Sequence, residues 1–348
     1  MQRIHLNKRH KFSGITIILL FIGGFYFMVQ SSAPELGSRT IEIIPYRAEL
    51  YSFAHPPHPL TGKNCENYGQ RPYAVMMPED TATRPLSGIS KADMVIEMQV
   101  VKGSITRMMA FFACEQPEEI GSIRSARHDF IPLAAAFDAI FVHWGGSSFA
   151  LDDVKSSRID NINALINPNN VFYRKQGIRA PHNGFTTFNR MQETAELLGY
   201  STTTSFSPYL REPERPLRSS AGYSVKISYP RPFNLEYTYQ PQTNSYQRFR
   251  GGTPEYDALN NEQAEVKVVI VMRTTSRQLN ADYNDVDVTG EGEALIFQNG
   301  RVTEAQWQRK EATDSRLRFL DERGRDIPLV AGSVWLHIVD TDTSVTFE

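Results

Sequence analysis

The chain lacks the short signatures that most often announce an enzyme. It has no G-x-S-x-G elbow, no H-E-x-x-H, no paired-cysteine motif and no G-x-G-x-x-G after an apolar run. These absences set aside serine hydrolases of that class, zincin-type metalloproteases and dinucleotide binding. The run "GKN" at 62–64 is not a phosphate-binding P-loop, because no glycine stands five positions upstream. Cysteine is scarce, with Cys65 and Cys114 the only two. Acidic residues are absent from the first 34 positions, and residues 12–34 carry no charge of either sign.

The uncharged stretch is the first thing present. Gly14 to Val29 is almost wholly apolar, and Arg3, Lys8, Arg9 and Lys11 precede it. A helix rising ~1.5 Å per residue needs about 20 such residues to cross a bilayer. The sequence therefore predicts a membrane helix within residues 12–33. The basic flank places the N-terminus in the cytoplasm and the bulk of the chain outside it. A cleaved signal peptide, with Ser31 and Ala33 as the small residues at the cut, is the competing reading, although Pro34 immediately after it sits awkwardly for a signal peptidase. Beyond residue 34 there remain 33 basic and 39 acidic residues, a net charge of −6. Nucleic acid is excluded as a general partner, since its electrostatic grip needs the opposite sign over the domain.

The remainder divides by composition. Residues 35–70 read as an extended tether, 71–205 as one domain, 206–222 as a linker and 223–348 as a smaller second domain. In the first domain, strand-length apolar runs ("PYAVMM", "ADMVIEMQV", "ITRMMAFFAC", "AIFVHW") alternate with helical stretches ("DFIPLAAAF", "SSFALDDV", "FNRMQETAELLG"). Such alternation predicts an α/β fold on a mixed or parallel sheet. Asp129 and Ser147 or Ser148 are candidate helix caps. After Tyr223 no helix is convincing, and hairpins with turns at "PQTN" and at Asn299–Gly300 predict an antiparallel β domain. Its aromatics pack a sheet face more readily than they stack on a glycan. In an exported chain Cys65 and Cys114 either form a bridge or remain two unrelated thiols, and two cysteines carry no spacing signature.

Candidate function concentrates in loops. Arg84, Arg107, Arg124, Ser125 and Arg127 lie at strand ends, as do His143, Gly145 and Gly146 of "HWGGSS"; Arg179, His182 and Asn183 follow in "IRAPHN". Loops leaving neighbouring strands meet in a crevice, so these residues are the predicted ligand-binding set, for an anion. The arginines could equally be tied to a carboxylate such as Asp93 or Glu97. His143 is either a general base or a hydrogen-bonded core histidine, and with Asp93 it is the candidate for catalysis. Asp93, Glu97, His128 and Asp129 could hold a divalent ion, but their spacing demands none, so no metal site is expected.

Taken in order, these segments resemble the YerB-like bacterial envelope proteins. The resemblance lies in residues 71–130, from "RPYAVMM" to "IRSARHDF", then in "FDAIFVHWGGSS", "RAPHN", "YQRFRGGTPEYDA" and "SVWLHIV", and it covers most of residues 71–348. It implies an N-terminal domain of unknown function followed by a smaller C-terminal one, in a protein commonly attached by lipid. This chain departs there, having no lipid-accepting cysteine after its apolar run. A fainter likeness is to the LytR-CpsA-Psr phosphotransferases, although Ser125 follows Arg124 where that family has Asp. It implies an enzyme alternative in which Arg107, Arg124 and Arg127 clamp phosphates of a polyprenyl-linked glycan, and Asp93 holds Mg²⁺. The leading expectation is a membrane-tethered protein that binds an anionic envelope component through these loops. A scaffold docking another envelope protein is the further alternative.

Overall fold

A computed structural model describes residues 55–348 apart from 157–158, 167, 221–222 and 312–314. The predicted membrane helix at 12–33 and most of the tether lie outside the described residues. Among the described residues no helix is long and apolar enough to cross a membrane.

The centre is a ten-stranded mixed sheet. From one edge it runs Arg318–Leu320, Arg301–Arg309, Gly290–Gln298, Val268–Thr274 and Val334–Asp340. It continues with Met94–Gln99, Thr106–Phe112, Tyr73–Pro78, Ile140–His143 and Asn161–Asn163. The first five come from the C-terminal half and the last five from the N-terminal half. They join where Val334–Asp340 runs parallel to Met94–Gln99, placing Glu97 beside His337. Apart from Glu97, Gln99, His337 and Asp340 both strands are apolar, as central covered strands should be, and Met94–Gln99 is buried throughout.

Side chains alternate between faces with period two. Met76, Ile96, Met109 and Leu336 point to one face, covered by the helix Ile131–Ala136 and by Phe206 and Tyr209. Val75, Val95, Met108 and Trp335 point to the other, covered by the helix Phe188–Leu197 and a second, antiparallel sheet. That sheet contains Ser224–Ile227, Leu235–Gln240 and Ser245–Arg250, with Tyr237, Tyr239 and Tyr246 fully buried beneath it. The aromatics therefore pack.

The three expected helices form, the third being the second-sheet neighbour just named and the second spanning Ser148–Ser156. Both expected hairpins form too, pairing Gln240 with Ser245 and Gln298 with Arg301. Asn299 and Gly300 both take positive φ, as a type I′ turn requires. The α/β expectation needs correction, because the described residues are mostly β and the helices short. The sheet is mixed, as expected: within the N-terminal half Tyr73–Pro78 and Met94–Gln99 both pair antiparallel with Thr106–Phe112, while Ile140–His143 pairs parallel with Tyr73–Pro78 and with Asn161–Asn163. Asp129 is not a cap; its carboxylate accepts from the Val286 N–H at 3.1 Å. Ser147 does cap, accepting from the Ala150 N–H at 3.1 Å. Residues 206–212 lie on the body, with Arg211–Glu212 pairing alongside Leu329–Val330.

Cys65 and Cys114 form a disulfide. It ties the segment before the first sheet strand to the end of Thr106–Phe112.

Candidate functional site

Two charged clusters lie on opposite faces of the central sheet, and they differ in whether charge is balanced. Beneath the second sheet, Arg248 and Arg250 alternate with Phe249, so both point inward at Glu97. Arg250 Nη2 lies 2.5 Å from Glu79 and 2.7 Å from Glu97. Arg248 lies 2.9 Å from Glu97 and 2.5 Å from Glu255. Arg84 closes the network on Glu79 at 2.5 Å. Three guanidiniums meet three carboxylates, and apart from Arg84 none is more than 6% exposed.

Donor inventory settles the protons around this network. Arg248 can only donate to Tyr237 Oη, at 2.6 Å, so Tyr237 donates to His337 Nε2 at 2.7 Å. His337 is then neutral with its proton on Nδ1, facing Glu97 at 3.7 Å. Burial agrees, pushing its imidazole down to about 3. Burial works against ionisation of Glu97, but Arg250 and Arg248 outweigh it and hold that carboxyl low. The network is sealed and its formal charges are matched, and it joins the two halves of the chain. Arg84 belongs here, not to a ligand site.

The other cluster is not balanced. Arg107 begins the strand Thr106–Phe112, opposite Pro78 in the adjacent strand. Arg124 and Arg127 stand in the loop after Ile120–Gly121, which is stitched to the "HWGGSS" loop. The Trp144 N–H donates to Arg124 O at 3.0 Å, and the Ala126 N–H to Gly145 O at 2.9 Å. Arg107 donates to Ser125 O at 2.9 Å and Arg127 to Ala126 O at 3.0 Å. Arg124 reaches Asp80 at 3.4 Å. The Nε of all three is buried with no hydrogen-bond partner, as are those of Arg84 and Arg250 in the first network, so the difference between the clusters lies in charge. Burial, with Arg127 and Arg124 adding to it, pushes the Arg107 guanidinium well below its usual value. Since arginine keeps its proton in proteins, that direction expresses a crowded, poorly compensated positive charge.

The predicted ligand set thus divides. Arg107, Arg124, Ser125 and Arg127 come together. Gly145 and Gly146 do approach something closely, but it is protein: a Cβ on Gly146 would meet Ala126 Cβ at 3.2 Å, and Gly146 bridges Ala126. His143 is fully buried, with Nδ1 2.7 Å from Gly145 O and Nε2 3.4 Å from Asn161. Burial lowers its pKa, and it is a core histidine that shapes the loop. Asn183 accepts from Arg174 at 2.6 Å, and Arg174 stacks on Trp144. Arg179 is exposed, and no bond between it or His182 and the three arginines is found among the described residues.

Asp93 lies elsewhere. It precedes Met94, whereas Arg107 pairs with Met98 at the other end of the same hairpin. At ~3.3 Å per residue the two ends are separated by roughly 15 Å. Asp93 Oδ2 accepts from the backbone N–H groups of Ala113 and Cys114, both at 2.8 Å. Burial raises its carboxyl to about 6. It supports the strand end beside the disulfide and is not placed to hold a metal for the arginines, so the Mg²⁺ arrangement of the phosphotransferase alternative does not assemble.

Sequence reading missed Asp80, Tyr283 and Asp285. Tyr283 lies under the Arg127 guanidinium at 5.1 Å. Asp285 follows two residues later, within 3.4 Å of His128. Both come from the hairpin Ser276–Asn280/Tyr283–Val286, more than 150 residues away in sequence, and no local pattern marked them. For the buried network there was a signal in Glu97, the one charge inside "MVIEMQ".

Comparison with known proteins matches the two halves of the chain separately. Residues 60–201 match the N-terminal domain, and residues 225–336 the C-terminal domain, of the protein family of unknown function DUF3048. The chain is 32% identical to "Putative lipoprotein YerB" of Bacillus subtilis (strain 168), over 81% of this chain and 85% of that protein. It resembles the crystal structure of YerB from the same organism with a TM-score of 0.75 and 30% identity, over 84% of this chain and all of that one. The chain belongs to the YerB-like DUF3048 family.

Proposed function

We propose that this chain is an exported, membrane-attached envelope protein that binds a phosphate- or carboxylate-bearing component of the envelope through Arg107, Arg124 and Arg127. One observation carries the reading. Three guanidiniums crowd together, each acting on the others' charge, while Asp80 is the one carboxylate bonded to them among the described residues. Crowded positive charge of this kind is normally compensated, and an oxyanion is what fits a guanidinium fork. The contrast with the matched network on the opposite face supports it, since that network shows how the same fold neutralises arginines it merely buries. Attachment is supported by the lipoprotein named among the relatives and, in this chain, by the uncharged segment at 12–34 behind its basic flank.

The test is titration of the full chain in detergent with inorganic pyrophosphate, poly(glycerol phosphate) and a carboxylate-bearing muropeptide. A charge-assisted hydrogen bond contributes about 1.5–3 kcal/mol, so removing two arginines corresponds to roughly a 10²–10⁴-fold loss of affinity. Arg124→Ala with Arg127→Ala should therefore abolish binding of whichever probe the wild type takes. Equal affinity in wild type and double variant, or a partner protein captured equally by both, refutes the assignment and favours a docking scaffold.

A further inference from the structure

The turn His128–Phe130 and the hairpin strand Tyr283–Val286 bring three metal-competent side chains to one point. His128 Nε2 lies 3.1 Å from Asp129 Oδ1 and 3.4 Å from Asp285 Oδ1, and one donor atom from each residue lies within 4.8 Å of the others. A divalent ion bonded to nitrogen and oxygen at about 2.0–2.2 Å sets neighbouring donors about 3.0–3.5 Å apart at the corners of an octahedron or tetrahedron. The two measured edges have that length. We propose that His128, Asp129 and Asp285 form a divalent-cation site.

Its surroundings fit an ion with open positions. Asp129 is 4% exposed, and besides His128 its hydrogen-bond donor among the described residues is the Val286 N–H. A carboxylate so enclosed is short of positive charge, which a dication supplies. The Val286 N–H also orients Asp129, and Arg277 at 2.8 Å orients Asp285, as outer partners do for metal ligands. The three side chains line a pocket of about 620 Å³ whose wall carries two further carboxylates, Asp153 and Asp287. That leaves room for water or a ligand's oxygens to complete the coordination, as at sites with three protein ligands. One imidazole with two carboxylates suits zinc, manganese or iron(II) better than calcium or magnesium, which prefer all-oxygen shells.

The site is independent of the arginine reading, but it adjoins it. Arg127 precedes His128 in the chain, and its guanidinium lies over Tyr283. If the arginines hold a phosphate, that phosphate can also serve as the cation's remaining ligand; only this step rests on the proposed function.

The experiment uses the full chain in detergent, freed of metal with EDTA and titrated with MnCl₂ and with ZnCl₂ by calorimetry, with Mn²⁺ followed by electron paramagnetic resonance. One equivalent should bind. His128→Ala and Asp285→Asn should each weaken binding at least tenfold, with circular dichroism confirming the fold. Arg124→Ala/Arg127→Ala should leave the one-equivalent stoichiometry intact. No stoichiometric binding of either metal, or binding indifferent to His128→Ala and Asp285→Asn, overturns the cation site. Pyrophosphate binding that persists in such a metal-free protein leaves the arginine reading standing, so the two ideas fail separately.

Discussion

Replacing Arg250 with Met removes one of three positive charges from the sealed network and leaves Glu79, Glu97 and Glu255 facing Arg84 and Arg248. Methionine fills much of the space, so the loss is chiefly electrostatic. Breaking a buried pair by deleting one partner costs about 3–5 kcal/mol, because a charge is left buried without compensation. Against a total stability of about 5–15 kcal/mol that is a large fraction. With a urea m-value of about 3 kcal/mol/M, the midpoint should fall by about 1–1.7 M. Burial raises the Glu79 carboxyl to about 8, so above that pH, where it is ionised, Glu79→Gln in the same background restores the charge balance, with Glu97 and Glu255 facing Arg84 and Arg248. The double variant should therefore be more stable than the sum of the single losses by at least ~2 kcal/mol. Urea is the denaturant of choice, since guanidinium would screen the charges. Tryptophan fluorescence is a local probe, because Arg248 lies 4.3 Å over the Trp335 ring. Losses that add to within ~0.5 kcal/mol would refute the claim that these groups act as one neutral unit.

Cys65→Ser with Cys114→Ser should cost up to ~4 kcal/mol on the loop-entropy model for a sequence separation of 49, and reductant should lower the thermal midpoint of the wild type but not of the variant. Asp93 gives a pH signature. Its carboxyl titrates at about 6 when folded and at ~3.9 when unfolded, so the folded state holds its proton more tightly. Stability from this group is full below pH ~4 and is lost as pH rises to about 6, a change of ~3 kcal/mol. The stability difference between wild type and Asp93→Asn should fall by that amount between pH 4 and 7, and a flat difference in urea titrations would contradict it.

Local rules carried the sequence reading a long way. Apolar runs located the strands, Asn299–Gly300 and "PQTN" set two hairpins, Ser147 capped its helix, and Arg107 meets the loop carrying Arg124 and Arg127, whereas Arg84 and Arg179 lie elsewhere. Each of these follows from interactions within a few residues or from strand ends meeting at one sheet edge. The mixed sheet followed, with a helical crossover from Ile140–His143 to Asn161–Asn163. Its extent did not: Val334–Asp340 of the distant C-terminal half pairs beside Met94–Gln99, and pairing partners leave no mark in local periodicity.

The same limit decided the sites. The residues themselves determined that Arg107, Arg124 and Arg127 would need an anion or a carboxylate, since a guanidinium is always charged. Which arginines would be neutralised was a matter of face. Period-two alternation turns Arg248 and Arg250 toward Glu97, while Arg107, an odd number of residues from the buried Thr106 and Met108, faces the other side. His143 was ambiguous in sequence and became a core residue because the 124–127 loop closes over it and Asn161 meets its second nitrogen. Asp285 reaches His128 and Asp129 only because the hairpin Ser276–Asn280/Tyr283–Val286 folds back on the turn His128–Phe130. Long-range placement of that kind is the property that tertiary packing, and not the order of residues, supplies.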